Sequence, residues 1–487
     1  RTAAERARLA AHFRPDAPDS GLDNIRRAFG IVTADIDSTY QFNEVRSGDD
    51  IDIGHITTDP SFGEARSYGL TQITLTDPGN AQHTLAISVV PDPAPVLDKK
   101  VKFVINTDAA WTGGSPPDGT PQIFLTTNDD IVATEINGAG DMLVGHIHST
   151  AGDVTLTSSR RIVDANDTPS IDVTGDDITM TAGTGGAQGG IGTPTDYLEI
   201  NVDRNTALGV VTATDTAAAL TSGIYLDDLL GNMRVDLVHT TANVSLRTVG
   251  GSILQGTKNG GGDDTDLAAD VVGQSIDLDA NGAGSSIGEV GKDLDINSGV
   301  GNASADVGLE AAANIYLTET EANLRLVLAH TYTGDIRLTV RESALLGENF
   351  DLLHDGNARF AESNTRLPGL DLDADRIVPN GLVFAEGGNV TLQIGDDITL
   401  DSNSVIVAKK DINIFGDYGN MDTGFGTNML LCGQIIAGAT VTPGNQVGAG
   451  DPLGTFTQTL TAPVYQTNIW GHTDVDTFQF GDAGGIA

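Results

Sequence analysis

Residues 222–254 read SGIYLDDLLGNMRVDLVHTTANVSLRTVGGSIL, and the text recurs. Residues 313–340 read ANIYLTETEANLRLVLAHTYTGDIRLTV, and residues 121–156 read PQIFLTTNDDIVATEINGAGDMLVGHIHSTAGDVTL. Each copy has an IYL or IFL strand, an acidic gap, an apolar strand ending near a His, and a VxL or IxL strand. His148, His239 and His330 are spaced by 91 and 91, as are Ile224 and Ile315. Internal repetition at a fixed period is the signature of a solenoid, in which each unit buries its apolar face only against its neighbours.

Outside these copies the same strand type persists. Val154/Leu156, Ile178/Met180, Leu198/Ile200/Val202, Ile276/Leu278, Leu294/Ile296, Val390/Leu392, Ile398/Leu400 and Ile412/Ile414 alternate with small polar residues. Period 2 places each set on one face of a strand. GDD, NGAG, GGDD and TGG turns separate the strands, and no helix-length pattern intervenes, which excludes a βαβ protein. Longer phases agree. DDITMTAG at 176–183 matches QSIDLDAN at 274–281 and GLDLDAD at 369–375, and GGIGTPTDYLEINV at 189–202 matches SSIGEVGKDLDINS at 285–298. The predicted fold is all-β, a right-handed parallel β-helix. With strands about 4.8 Å apart and coils of about 20–25 residues, one repeat would rise roughly 20 Å, and the array would form a rod of roughly 65–80 Å.

Four segments follow. Residues 1–31 are helix-forming and read as a cap or arm. Residues 32–100 read as a small β module, with a hairpin of TQITLT and HTLAISVV around DPGNAQ, ending in the proline-rich VVPDPAPVLDKK. Residues 101–435 are the solenoid. Residues 436–487 are looser C-terminal coils.

Lys and Arg number 26 against 67 Asp and Glu, for a formal charge of −41. Such a surface repels nucleic acid and anionic membrane and attracts cations. No apolar run is long enough for a membrane helix. Cys432 stands alone, so there is no intramolecular disulfide and no cysteine metal site.

The repeat text GDVTLT, GSIL, ITMTAG, SIG, DLDINS and ANIYLTE resembles the repeats of giant bacterial secreted and surface proteins, the RTX-associated adhesins and filamentous-haemagglutinin-like proteins. The resemblance covers roughly residues 119–480. It implies a parallel β-helix exported to the cell surface, often calcium-dependent, serving adhesion, matrix or surface layer. The RTX nonapeptide leaves one degenerate trace, Gly471 to Phe478, in which His472 and Asp474 stand where glycines belong.

Candidate calcium ligands are the carboxylates that alternate or cluster: Asp371, Asp373 and Asp375 on one strand face, Asp263, Asp264 and Asp266 after a glycine run, and Asp474 and Asp476 in the RTX-like trace. Stacked carboxylates repel unless a cation lies between them. The pairs Asp176/Asp177 and Asp396/Asp397 sit in turns, where Asp bonds backbone. The three His residues read as half-buried corner residues. An enzymatic alternative rests on a polygalacturonase-like order: Asn106-Thr107-Asp108, Asp129-Asp130, Gly145-His146 and Arg161-Ile162. There Ala109, Ile147 and Val163 depart from the pattern. The expectation is a non-enzymatic extracellular structural or adhesive protein that associates head-to-tail with itself and contacts surface polysaccharide. A plain carbohydrate-binding module is the third reading.

Overall fold

The computed structural model describes strands at 41–42, 73–76, 82–91, 101–107 and 123–127. From residue 131 it describes the chain except 136–140, 150–151, 166–169, 203–207, 219–220, 258–267, 301–305, 322, 344–347, 354–380, 403, 420, 422–424, 443–454, 459–464, 472–473 and 481–487. The helical reading of residues 1–31 lies outside the described residues. All described regular structure is strand, and no helix among the described residues could cross a membrane. The chain divides into two units, Arg1–Leu226 and Asp227–Ala487.

The first unit begins with an antiparallel sheet. Ile73–Thr76 pairs with Gln82–Pro91, the expected hairpin, and Gln82–Pro91 pairs in turn with Val101–Thr107. The proline-rich stretch therefore joins two strands of one sheet. A parallel stack follows. Ile131, Val154, Ile178 and Val211 lie in register, and beside them Ala133, Leu156, Met180 and Ala213. All eight side chains are fully buried. In the second unit the column Ile315–Ile336–Val390–Ile412 runs beside Leu317–Leu338–Leu392–Ile414, again fully buried. Two-residue alternation thus produces a continuous aliphatic column, the parallel β-helix that the sequence predicts.

The 91-residue spacing has a structural meaning. Met142–Ser149 is a long strand whose first half pairs with Ile162–Asp164 and whose second half pairs with Val173–Thr174. Met233–His239 divides in the same way between Ile253–Gln255 and Val271–Val272. Leu324–Thr331 divides between Phe350–Leu352 and Leu382–Ala385. Each repeat opens where one straight strand gives way to two strands with a corner between them. His148, His239 and His330 occupy the same slot, opposite Thr174, Val272 and Phe384. They stand in strands rather than at corners.

Two halves rejoin at an IYL strand. Ile191 pairs with Ile224, and Ile287 pairs with Ile315. The glycine after each of these isoleucines is obligatory. Gly192 (φ +63°) and Gly288 (φ +66°) turn tightly beneath the carbonyls of Tyr225 and Tyr316. A Cβ there would lie 2.3 and 2.1 Å from those oxygens. This contact explains why SIG or GIG precedes IYL in both copies.

Corners are held by a polar ladder. In the second unit the residue before each core strand of one stack is Asn232, Ser252, Ser286, Asn314, Asp335, Asn389, Asp411 and Gln466. Each side-chain oxygen from Asn232 to Asp411 accepts the backbone N–H of the next residue in that series, at 2.7–3.2 Å. The carbonyl of that next residue accepts the N–H of the strand residue after the first, as Asp335 does from Ile315 and Asn389 from Ile336. Every rung thus fixes both backbone polar groups of a corner residue, which would otherwise be costly to half-bury. Parallel ladders run Asn323–Asn349–Asp397–Asn428 in the other stack and Asp153–Asp177–Val210 in the first unit. GDVTLT, ANIYLT and GNVTLQ are spellings of this one rung.

In the eight-residue ladder no two carboxylates are neighbours. Asn389 separates Asp335 from Asp411, with a coil spacing near 4.8 Å. The substitution Asn389→Asp should destabilise by about 1–2 kcal/mol at low salt and recover in high salt, because three stacked carboxylates repel. Asn314→Ala removes an acceptor without adding charge, so it should cost about 1–3 kcal/mol at any salt concentration. Urea unfolding at two ionic strengths separates the two outcomes.

A buried three-carboxylate cluster as candidate functional site

The paired acids of the sequence are largely consumed by ladders. Asp177 Oδ1 accepts the Val210 N–H at 3.0 Å, Asp397 Oδ1 that of Asn428 at 2.7 Å, and Asp396 Oδ2 that of Glu348 at 2.8 Å. Of the expected calcium ligands, Asp371, Asp373, Asp375, Asp263, Asp264 and Asp266 lie outside the described residues. Asp476 is described, and its Oδ1 accepts the Thr427 N–H at 3.2 Å, one more rung. Asp474 is half-buried in the adjoining turn.

The described residues bring three other carboxylates together: Asp164, Asp172 and Glu199, with one oxygen from each inside a 4.8 Å spread. Asp164 ends the Ile162–Asp164 strand in the buried register of Ile162. Asp172 immediately precedes Val173, and its N–H donates to the Glu199 carbonyl at 2.9 Å. Its Oδ2 accepts the Glu199 N–H at 3.2 Å. Glu199 lies between Leu198 and Ile200, and all three are fully buried. Exposure is 2% for Asp164 and 0% for Asp172 and Glu199. No donor reaches Asp172 Oδ1. Burial, then the charges of Asp164 and Glu199, pushes the Asp172 carboxyl up to about 11. An all-oxygen set of this kind suits a hard cation or a shared proton.

Strand pairing places the equivalent residues in the other copies. Asp164 opposite Val144 corresponds to Gln255 opposite Val235 and to Leu352 opposite Leu326. Asp172, two residues before Thr174, corresponds to Asp270 and Leu382, which stand two before Val272 and Phe384. Glu199 corresponds to Asp295 and Val405, which precede Ile200's counterparts Ile296 and Ile406. In the second copy the same backbone exchange survives, with the Asp295 N–H donating to Asp270 Oδ2 at 3.1 Å, and Arg341 pairs with Asp295 at 3.0 Å. The set therefore runs from three carboxylates, through two with an amide and a guanidinium, to none.

Sequence reasoning did not find this cluster. Its one visible signal is Glu199 in YLEIN, aligned with Asp295 in DLDIN. Alternation assigns Leu198, Ile200 and Val202 to one face and carries no signal for Glu199.

His330 is buried between Glu310, at 3.5 Å, and Glu386, at 3.0 Å, and stacks on Phe384 with ring centroids 5.1 Å apart. His148 and His239 are half-buried. Of the polygalacturonase-like residues, Asp108, Asp129 and Asp130 lie outside the described residues. Half-buried His146 has Nδ1 3.2 Å from the Ile171 carbonyl, and Arg161 Nε donates to Asp141 at 3.0 Å. No family model, curated protein or solved structure matches the chain.

A second buried acid is isolated from the cluster. Glu319 is completely buried and accepts the Ser298 N–H at 3.1 Å and its hydroxyl at 2.6 Å. Burial raises its carboxyl well above the ordinary range, against the lowering effect of those donors. The folded state thus keeps the proton to higher pH than the unfolded chain does. The resulting stabilisation is complete below the unfolded carboxylate pKa and is lost as pH rises toward the folded value. Glu319→Gln cannot titrate. The melting temperature of that variant relative to wild type should rise steadily from pH 4 to pH 8; a constant difference would contradict a protonated Glu319.

Proposed function

We propose that this chain is an extracellular structural or adhesive β-solenoid protein, acting by coil-to-coil association rather than by catalysis. The observation that supports this most is the ladder: each rung presents to the next coil the same acceptor that it received from the last. A surface built so is self-complementary along the stacking direction, and heterologous contacts of that kind generate open assemblies. The last described strands add an apolar contribution. Thr467–Trp470 pairs with Ile412–Phe415, and Thr477–Phe480 pairs with Asn428–Leu431. Trp470, Phe478 and Phe480 remain 41–51% exposed, and Val475 is 87% exposed. The charge of −41 keeps lateral faces apart while leaving end contacts apolar. Surface polysaccharide is the proposed non-self partner, and export the proposed location.

Light scattering and negative-stain electron microscopy test the reading. The purified chain should form concentration-dependent multimers, and Trp470→Asp with Phe480→Asp should weaken assembly at least about tenfold, the loss expected for about 1.4 kcal/mol. Unchanged assembly would refute an end contact through this coil. Release of reducing sugar from polygalacturonate, abolished in His146→Ala, would replace the structural reading with the enzymatic one.

A further inference from the structure

We infer that Asp164, Asp172 and Glu199 form an internal binding site for one calcium-sized divalent cation that fastens the corner of the first repeat. The acidic cluster alone would not carry this. A second observation points to a ligand: Asp172 is fully buried, its Oδ1 has no donor, and the Asp164 and Glu199 carboxylates stand beside its carboxylate. A buried acceptor left without a donor is costly, and a cation supplies what the protein does not.

Comparison among the copies removes the alternative that the fold itself demands acids here. Leu352, Leu382 and Val405 occupy the same three positions in the third repeat, where the strands pair in the same register. In the second repeat Gln255 replaces one acid and Arg341 neutralises another. Only the first copy keeps three carboxylates together among the described residues. Three carboxylates, if all ionised within 4.8 Å of one another in a buried corner, repel strongly, and a divalent ion turns that repulsion into attraction.

Ligand type and span give the class of cation. Three carboxylates without nitrogen or sulfur select hard ions over zinc or copper. Calcium bonds oxygen at about 2.3–2.6 Å, so opposed ligands lie about 4.6–5.2 Å apart; magnesium, at about 2.0–2.1 Å, holds them about 4.1 Å apart. Oxygens that all lie within 4.8 Å of one another fit around calcium without backbone movement.

The test uses the full chain after treatment with chelator. Millimolar CaCl2 should raise the melting temperature by about 5 °C beyond NaCl of equal ionic strength, as expected for a ligand near a hundred times its Kd. Asp164→Gln installs the residue of the second repeat and should lose at least about tenfold in calcium affinity by equilibrium dialysis, with its far-ultraviolet circular dichroism unchanged. A calcium shift retained at full size in Asp164→Gln, or no shift beyond NaCl in the wild type, would overturn the inference. Should Asp164→Gln fail to fold, crystals of the wild type grown with MnCl2 decide. An anomalous peak among Asp164, Asp172 and Glu199 supports the site, and peaks elsewhere or none refute it.

Discussion

The hydrogen bond from a corner N–H to the side-chain oxygen of the coil before it is the interaction on which this fold depends. Strands of four or five residues bury too little to persist alone. Their aliphatic columns supply the driving force, but apolar contact is indifferent to sliding. The ladder is not. Asn314 accepts from Asp335 and from no other backbone position, so it fixes which coil residue stacks on which. Register in turn places Ile315 over Ile336 and Leu317 over Leu338, and a shift by one residue would turn every leucine outward.

The ladder also governs where acidity resides. Asp, Asn and Ser all offer an oxygen at the right distance, so geometry leaves the choice open and electrostatics decides it. Along the longest ladder, Asp335 and Asp411 flank Asn389, and the earlier rungs are Asn or Ser. Charge is spaced at alternate coils, beyond the contact distance at which repulsion would exceed the value of a hydrogen bond. Along this ladder the acids are diluted by amides and hydroxyls, so its coils stack without adjacent charges.

Much of this was legible beforehand. The repeat period, the solenoid class and the equivalence of His148, His239 and His330 follow from text that recurs in one order. The turn role of Asp177 and Asp397 follows from the chemistry of Asp beside glycine. The carboxylate cluster was not legible, because it is assembled from residues 8 and 27 positions apart (164 to 172, 172 to 199) that only the coil brings together. Alternation reports which face of a strand a residue takes. It cannot report that both faces of Leu198–Asn201 are covered, so the burial of Glu199 had no signal in the alternation. The acids at 263–266 and 371–375 are close in sequence and so visible as runs, whereas the cluster takes one acid from each of three separated segments.

The three copies act as a mutational series carried out within one chain. At a fixed place in the strand register, the residues are Asp164, Asp172 and Glu199, then Gln255, Asp270 and Asp295, then Leu352, Leu382 and Val405. Since the third copy closes its corner with three aliphatic residues, packing is satisfied without any charge. Since the second closes it with an amide and Arg341, two acids are tolerated when one positive group is near. The first corner carries the largest desolvation cost of the three, and the backbone exchange between residues 172 and 199 is no shorter than that between 270 and 295. Protein hydrogen bonds therefore do not offset the difference. What balances three buried carboxylates must be positive charge, either protons held by the acids or a cation held among them. Protons would leave a corner that performs no better than the neutral one at residue 352, at greater cost, which makes the bound cation the more economical account of why the acids stand where they do.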